Sequence, residues 1–308
     1  MSVLRSSFIA LSGNSLLRRF VENSAPGRRM SARFVAGFRI EDAMTASSVL
    51  HQQGLSVTLD HLGENVASPG QAGQAAQTYH WLLDAIAPSQ LNANVSLKLT
   101  QMGMDLNPEL ARENVAGLVR HAAKANNFVR VDMEGTAYTQ ATLDFVRQLH
   151  AVPENQGHVG IVIQAYLRRS ADDIAALVRD GIRIRLCKGA YKESPSLAFP
   201  DKKEVDANFV ALMKMLLKSG IFHGIATHDP AMVAATKEFA RAERIAPSAF
   251  EFQMLYGIRR DLQRSLIREG YGVRVYVPFG DEWYPYFMRR LAERPANVLF
   301  LARNLLRK

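Results

Sequence analysis

The segment Ile182-Arg183-Ile184-Arg185-Leu186-Cys187-Lys188 alternates residue by residue. Ile182, Ile184 and Leu186 fall on one side of an extended chain, and Arg183, Arg185 and Cys187 on the other, because successive strand side chains point to opposite faces. Comparable short runs recur at 55–60, 94–99, 128–133, 160–166, 224–227, 250–255 and 273–277. Between them lie segments of helical character, such as 108–125, 139–150, 171–180, 205–219, 231–241 and 259–269. Strand alternating with helix means parallel β/α units. About eight such units point to a closed (βα)8 barrel of the α/β class, with an open doubly wound sheet less suited to the pattern.

Helices cover the outside of such a barrel, so the apolar side of each strand faces outward. The opposite sides read Ser56, Thr58, Asp60; Ser96, Lys98, Thr100; Arg130, Asp132, Glu134; Val162, Gln164, Tyr166; Arg183, Arg185, Cys187; Glu251, Gln253, Leu255; and Arg274, Tyr276. An interior that served packing alone would be filled with branched aliphatics. Here charged and amide groups gather toward the C-terminal ends of several strands, where barrel active sites are built, and this points to an enzyme. Some of these charges are expected to pair across the barrel, Asp60 with Lys98 for example.

A second pattern lies near the end, in Trp283-Tyr284-Pro285-Tyr286-Phe287-Met288-Arg289-Arg290-Leu291-Ala292-Glu293-Arg294. As a helix it sets Tyr286, Arg289, Arg290 and Glu293 on one face. A core stripe at that spacing would be aliphatic. Two adjacent guanidinium forks suit a carboxylate or phosphate, while the plain reading is a solvated basic face.

The 308 residues, 48% of them hydrophobic, are enough for a substantial core. The one cysteine, Cys187, excludes an intrachain disulfide and a cysteine-rich metal site, and fits a reducing compartment. The net charge of +9 is compatible with an anionic ligand or lipid surface. Zinc-finger spacing and RNA-recognition signatures are absent and the basic residues are scattered, so no nucleic-acid partner is expected. No apolar run approaches the roughly 18 residues of a membrane span. Residues 1–20 carry Arg5, Arg18 and Arg19 around a short apolar run broken by Asn14 and Ser15. They read as a helix outside the domain; their Ser- and Arg-rich, acid-poor start also resembles a transit peptide.

Gly70-Gln71-Ala72-Gly73 lacks dinucleotide-binding spacing and reads as a loop entering a helix. No P-loop, H-E-x-x-H or G-x-S-x-G is present. His228, at a strand end in Ala226-Thr227-His228-Asp229-Pro230, suits a base or a cofactor contact, and no second ligand stands at metal-binding spacing. Lys98 and Lys188 also end strands and leave open a Schiff-base lyase or aldolase. Polar neighbours such as Asp60 and Arg185 favour ion-pair or anion-binding roles for them.

Arg185-Leu186-Cys187-Lys188-Gly189-Ala190-Tyr191 and the Tyr286, Arg289, Arg290, Glu293 face resemble the proline dehydrogenase family. Val95-Ser96-Leu97-Lys98-Leu99, Ile163-Gln164-Ala165-Tyr166, Ala226-Thr227-His228 and Phe250-Glu251-Phe252-Gln253-Met254-Leu255-Tyr256-Gly257 fit it as well. The likeness runs from about Leu59 to Arg294, in order and spacing. It is to the short monofunctional bacterial enzymes, with no aldehyde dehydrogenase module expected to follow. Two departures, His61 for an aliphatic residue and Cys187 for valine, remove no polar group and adjust packing at most.

The resemblance implies a distorted (βα)8 TIM-type barrel over residues 51–308, an N-terminal helical arm over 1–50, and a last helix over the active site. It implies FAD-dependent oxidation of L-proline to Δ1-pyrroline-5-carboxylate, with electrons passed to a membrane quinone. A cytoplasmic location, peripheral to the inner membrane, and a separate pyrroline-5-carboxylate dehydrogenase go with that. On this likeness Arg289, Arg290 and Lys98 bind the proline carboxylate, Asp60 holds Lys98, and Glu293 steadies an arginine. Tyr276, Tyr286, Ala190, Tyr191 and Leu255 surround the ring. Arg185 points at the flavin N5 and acts with Asp132. Asp132, Met133, Gln164, Cys187, Lys188, Gly189, Thr227 and His228 line the FAD.

Overall fold

A computed structural model describes residues 31–293, with side chains through Arg290. Strands and helices alternate as α1 (Ile40–His51), β1 (Ser56–His61), α2 (Pro69–Ile86), β2 (Ala93–Leu97), α3 (Pro108–Lys124), β3 (Val129–Val131) and α4 (Thr136–His150). They continue as β4 (Val159–Gln164), α5 (Ser170–Arg179), β5 (Arg183–Cys187), α6 (Lys202–Lys218), β6 (His223–Ala226), α7 (Pro230–Ala242), β7 (Phe250–Leu255), α8 (Arg260–Arg268), β8 (Gly272–Phe279) and α9 (Trp283–Glu293). Each strand pairs in parallel with the next, and β8 pairs with β1 from Ser56↔Arg274 to His61↔Phe279, which closes the barrel.

Local sequence sets the helix starts. Ser68, Asn107, Asp201 and Asp229 accept backbone N–H groups as N-caps, and proline follows three of them at the first helical position. Gly70 to Gly73 therefore occupy the first turn of α2, a helix start as expected. Strand β3 ends at Val131, and beyond it the Gln164 side chain donates to the carbonyls of Met133 (2.8 Å) and Glu134 (3.2 Å).

The outward side of the strands is the main core. Val57, Leu59, Val95, Leu97, Ile161, Ile163, Ile184, Leu186, Phe252, Met254, Val275 and Val277 are buried against the helices. Each contributes on the order of 1.5–3 kcal/mol relative to exposure. The inward side is largely polar, and much of it is hydrogen-bonded across the barrel. Arg274 Nε donates to Glu251 Oε1 at 2.7 Å, its Nη1 to the Val57 carbonyl at 2.7 Å, and its Nη2 to Asn92 Oδ1 at 3.1 Å. Two inward glycines make room for side chains that cross a strand. A Cβ on Gly160 would stand 2.8 Å from Arg130 Nη1, which passes over β4 to the Arg183 carbonyl. A Cβ on Gly224 would stand 2.3 Å from Gln253 Nε2.

A smaller cluster supports α9. Phe34 and Val35 pack with Leu62, Ile258, Trp283, Tyr284, Phe287 and Met288. Ala36 N–H donates to the Pro278 carbonyl at 2.9 Å, and Gly280 N–H to Gly37 at 3.0 Å, so the stretch before α1 is fastened beside the end of β8. The earlier part of the expected arm, residues 1–30, lies outside the described residues. Among the described residues no helix is long and apolar enough to cross a membrane.

Candidate active site

A cavity of about 770 Å³ opens at the C-terminal ends of the strands, with α9 as one wall. Asp60 comes from β1; Lys98, Asp132 and Met133 follow β2 and β3; Gln164 ends β4; Arg185 and Cys187 lie on β5. Lys188, Gly189, Ala190 and Tyr191 follow β5, Thr227 and His228 follow β6, Leu255 ends β7, Tyr276 lies on β8, and Tyr286, Arg289 and Arg290 come from α9. Every site residue singled out in the sequence lines this one cavity except Glu293, whose side chain lies outside the described residues. Seven cationic side chains against four carboxylates give the lining net positive charge.

Asp132 is the hub of the inner wall. Its Oδ1 accepts from Arg185 Nη1 at 2.9 Å and from Ser96 Oγ at 2.6 Å, and its Oδ2 accepts from the Tyr276 hydroxyl at 2.9 Å. The Arg185 guanidinium carbon lies 5.2 Å from the Tyr276 ring centroid, a cation–π contact. Burial, with Asp132 and Asp60 beside it, pushes the Tyr276 hydroxyl well above its ordinary pKa, so it stays a donor.

Lys98 sits among three carboxylates: Asp60 at 3.8 Å, Asp132 at 3.9 Å and Glu64 at 4.0 Å. Burial works against its charge, but Asp60, Asp132 and Glu64 outweigh burial and raise its pKa. The anticipated Asp60–Lys98 pair is thus present, and Lys98 is an ammonium instead of the free amine a Schiff base needs. Asp60 itself is pushed up by burial, which Lys98 only partly offsets. Glu64 was not foreseen. It accepts both Arg289 Nη1 (3.1 Å) and Nη2 (2.8 Å), a fork grip on a carboxylate. Arg290 stacks over Tyr286 of its own helix at 5.1 Å.

On the other side, Lys188 Nζ donates to Asp206 at 2.5 Å and Asp229 at 2.7 Å. Asp229 is also the N-cap of α7. His228 Nε2 accepts the Leu255 N–H at 2.8 Å, so a neutral ring carries its proton on Nδ1. Burial pushes the Cys187 thiol up to about 11, a neutral and unreactive group. Lys202, Asp229 and Arg259 also line the cavity and were missed, as was Glu64. They sit in loops or at helix ends, where no periodicity marks them.

Known proteins share this sequence and fold. The family model described as proline dehydrogenase matches residues 43–303. Proline dehydrogenase 1 of Bacillus subtilis is 45% identical, covering 99% of this chain and 100% of its own. Proline dehydrogenase of Deinococcus radiodurans is 42% identical over 90% of both chains. The fold matches the crystal structure of proline utilization A from Bdellovibrio bacteriovorus, inactivated by N-propargylglycine. The TM-score is 0.83 at 26% identity, over 94% of this chain and 36% of that one. The family model over residues 43–303, and relatives at 42–45% identity matched over 90–100% of their length, show that this chain belongs to the proline dehydrogenase family.

Proposed function

We propose that this chain oxidises L-proline to Δ1-pyrroline-5-carboxylate, with FAD as cofactor and a membrane quinone as electron acceptor. The observation that carries the reading is the Glu64 carboxylate, gripped by the Arg289 fork and within 4.0 Å of Lys98. This cation set binds carboxylates by construction. Lys98 and Arg185 both meet the Asp132 carboxylate, at 3.9 and 2.9 Å, so the anion grip and the redox end adjoin at this residue, as a small amino acid substrate requires.

The lining also suits a flavin nucleotide. Gln164 spends its Nε2 on the Met133 and Glu134 carbonyls, while its Oε1 is buried without a partner among the described residues. An acceptor left over on a cavity-lining side chain fits an imide N–H. Lys188, Lys202 and Arg259 are cations for a pyrophosphate, although Asp206 and Asp229 already neutralise part of that charge. FAD, when bound, supplies the two-electron redox chemistry. Asp132, Met133, Gln164, Cys187, Lys188, Gly189, Thr227 and His228 would hold it.

Arg289, Arg290 and Lys98 would clamp the substrate carboxylate, with Asp60 fixing Lys98 and Glu293 supporting an arginine. Tyr276, Tyr286, Ala190, Tyr191 and Leu255 would surround the ring. Clamping one end of a small ring orients the opposite carbon, and orientation lowers the barrier by removing motions from the reactants. Arg185, held by Asp132, keeps a fixed positive charge where negative charge develops, which stabilises the transition state without reorganisation. Residues 1–50 form the arm and 51–308 the catalytic unit in this assignment. The protein works in the cytoplasm at the surface of the inner membrane and leaves its product to a separate dehydrogenase.

An anaerobic visible spectrum of the purified protein, with and without L-proline, tests the proposal. Bleaching of a flavin band on adding proline is expected. A colourless protein, or a flavin band indifferent to proline, would sink it. The Schiff-base alternative predicts instead a borohydride-trapped lysine adduct, which the ammonium state of Lys98 disfavours.

A further inference from the structure

Gln253 lies on β7 and Arg185 on β5, with β6 between them. Alternate strands share the interior layers of such a barrel, so side chains of β5 and β7 can meet there. Gly224, the inward residue of β6 paired with both Arg185 and Glu251, has no side chain and leaves the gap through which they do. The amide of Gln253 fills the space a Cβ would take, 2.3 Å from its ideal position, and its Oε1 accepts from Arg185 Nε at 2.5 Å. Its Nε2 donates to Glu251 Oε1 at 2.7 Å, the same oxygen that accepts from Arg274 Nε at 2.7 Å.

The chemistry of the partners allows this amide one orientation. Arginine only donates and an ionised carboxylate only accepts, so turning the Gln253 amide over would set N–H against N–H and oxygen against oxygen. Gln253, Glu251, Arg185 and Arg274 are all buried, so neither end is relieved by water. Arg185 is therefore held from both sides, by Asp132 on Nη1 and by Gln253 on Nε. The second tether comes from a neutral acceptor, which fixes the guanidinium without cancelling its charge.

We propose that Gln253 and Glu251 are positioning residues for Arg185, a relay through the Gly224 gap that fixes where its positive charge sits in the active site. This rests on the reading of Arg185 as the charge beside the flavin. In the flavin-loaded protein, three quantities are measured: the anaerobic rate of reduction by proline, the proline Kd from the same titration, and the flavin midpoint potential by dye equilibration. Gln253→Met, of similar volume without an acceptor, is expected to slow reduction between about tenfold and a hundredfold, since small misplacements of a catalytic group cost that much. Its proline Kd should stay within about twofold, as in a transition-state effect. Its potential should move in the same direction as that of Arg185→Met.

Gln253→Glu keeps an acceptor on Arg185 Nε and sets a second carboxylate on Glu251, so the pair shares a proton. It is expected to keep most of the rate at low pH and to lose it as pH rises and the proton leaves, an added inflection. This variant also serves if the methionine protein does not fold. Native rate and potential in Gln253→Met, or a Gln253→Glu pH profile superimposable on the native one, overturns the relay when Arg185→Met still shifts both quantities. If Arg185→Met shifts neither, the underlying reading of Arg185 falls and the relay with it.

Discussion

The hydroxyl of Tyr276 donates to Asp132 Oδ2 at 2.9 Å, on the carboxylate whose other oxygen takes Arg185. Tyr276→Phe removes that donor and keeps the ring under the Arg185 guanidinium. A loss of about 1 kcal/mol in stability is expected for one buried hydrogen bond. Because Arg185 and Ser96 still hold Asp132, kcat/KM should fall less than about tenfold. Steady-state kinetics and urea unfolding check this; a Tyr276→Phe protein as impaired as Arg185→Met would contradict it.

Arg290→Met separates binding from chemistry. Losing one fork of a carboxylate clamp should raise KM for proline about a hundredfold or more, with FAD content unchanged. An unaltered KM in steady-state assays would remove Arg290 from the clamp.

Lys98→Met leaves Asp60, Asp132 and Glu64 without their shared cation. Breaking a buried ion pair by removing one partner costs about 3–5 kcal/mol. Denaturant unfolding should show a loss of that order, together with weaker proline binding. A protein of native stability would mean that these carboxylates are already neutral or solvated.

Much of this was legible in the chain because strand period and helix period are strong signals. The inward residues Asp60, Lys98, Asp132, Arg185 and Tyr276 follow from alternation alone, and the Tyr286, Arg289, Arg290 face from helical spacing. Glu64 follows from neither, since it sits on the loop after β1 and meets Arg289 from 225 residues away. Gln253 was visible as an inward amide, but its bond to Arg185 depends on strand register and on a missing side chain at Gly224. Register is a property of the assembled barrel, and absence leaves no periodic mark. The packing of Phe34 against Phe287, ring centroids 6.2 Å apart, is likewise tertiary.

His223 gives stability a predictable pH dependence. Its Nδ1 accepts the Ile184 N–H at 3.0 Å and its Nε2 lies 2.9 Å from Ser219 Oγ. Burial, together with Arg130 and Arg183, lowers its pKa from 6.5 to about 3. The unfolded chain then takes up this proton more readily than the folded one. The contribution is complete above about pH 6.5 and is lost as pH falls toward about 3, with a slope of up to about 1.4 kcal/mol per unit. His223→Asn keeps an acceptor for Ile184 and does not titrate. Its unfolding free energy should fall less steeply over that window; identical acid limbs would assign the proton uptake elsewhere.

Arg274 is made late and bonds early. It stands on β8, yet its guanidinium donates to the Val57 carbonyl of β1 and to Asn92 before β2, and it neutralises Glu251 on β7. A chain ending after β7 therefore carries this carboxylate without the arginine that hydrogen-bonds it. Partial barrels gain little from collapsing around an unpaired charge, and contacts that span most of the chain form only after a large loss of chain entropy. The last strand thus brings the guanidinium that ties β7, β8 and β1 together, so closing the barrel and pairing Glu251 with Arg274 are one event.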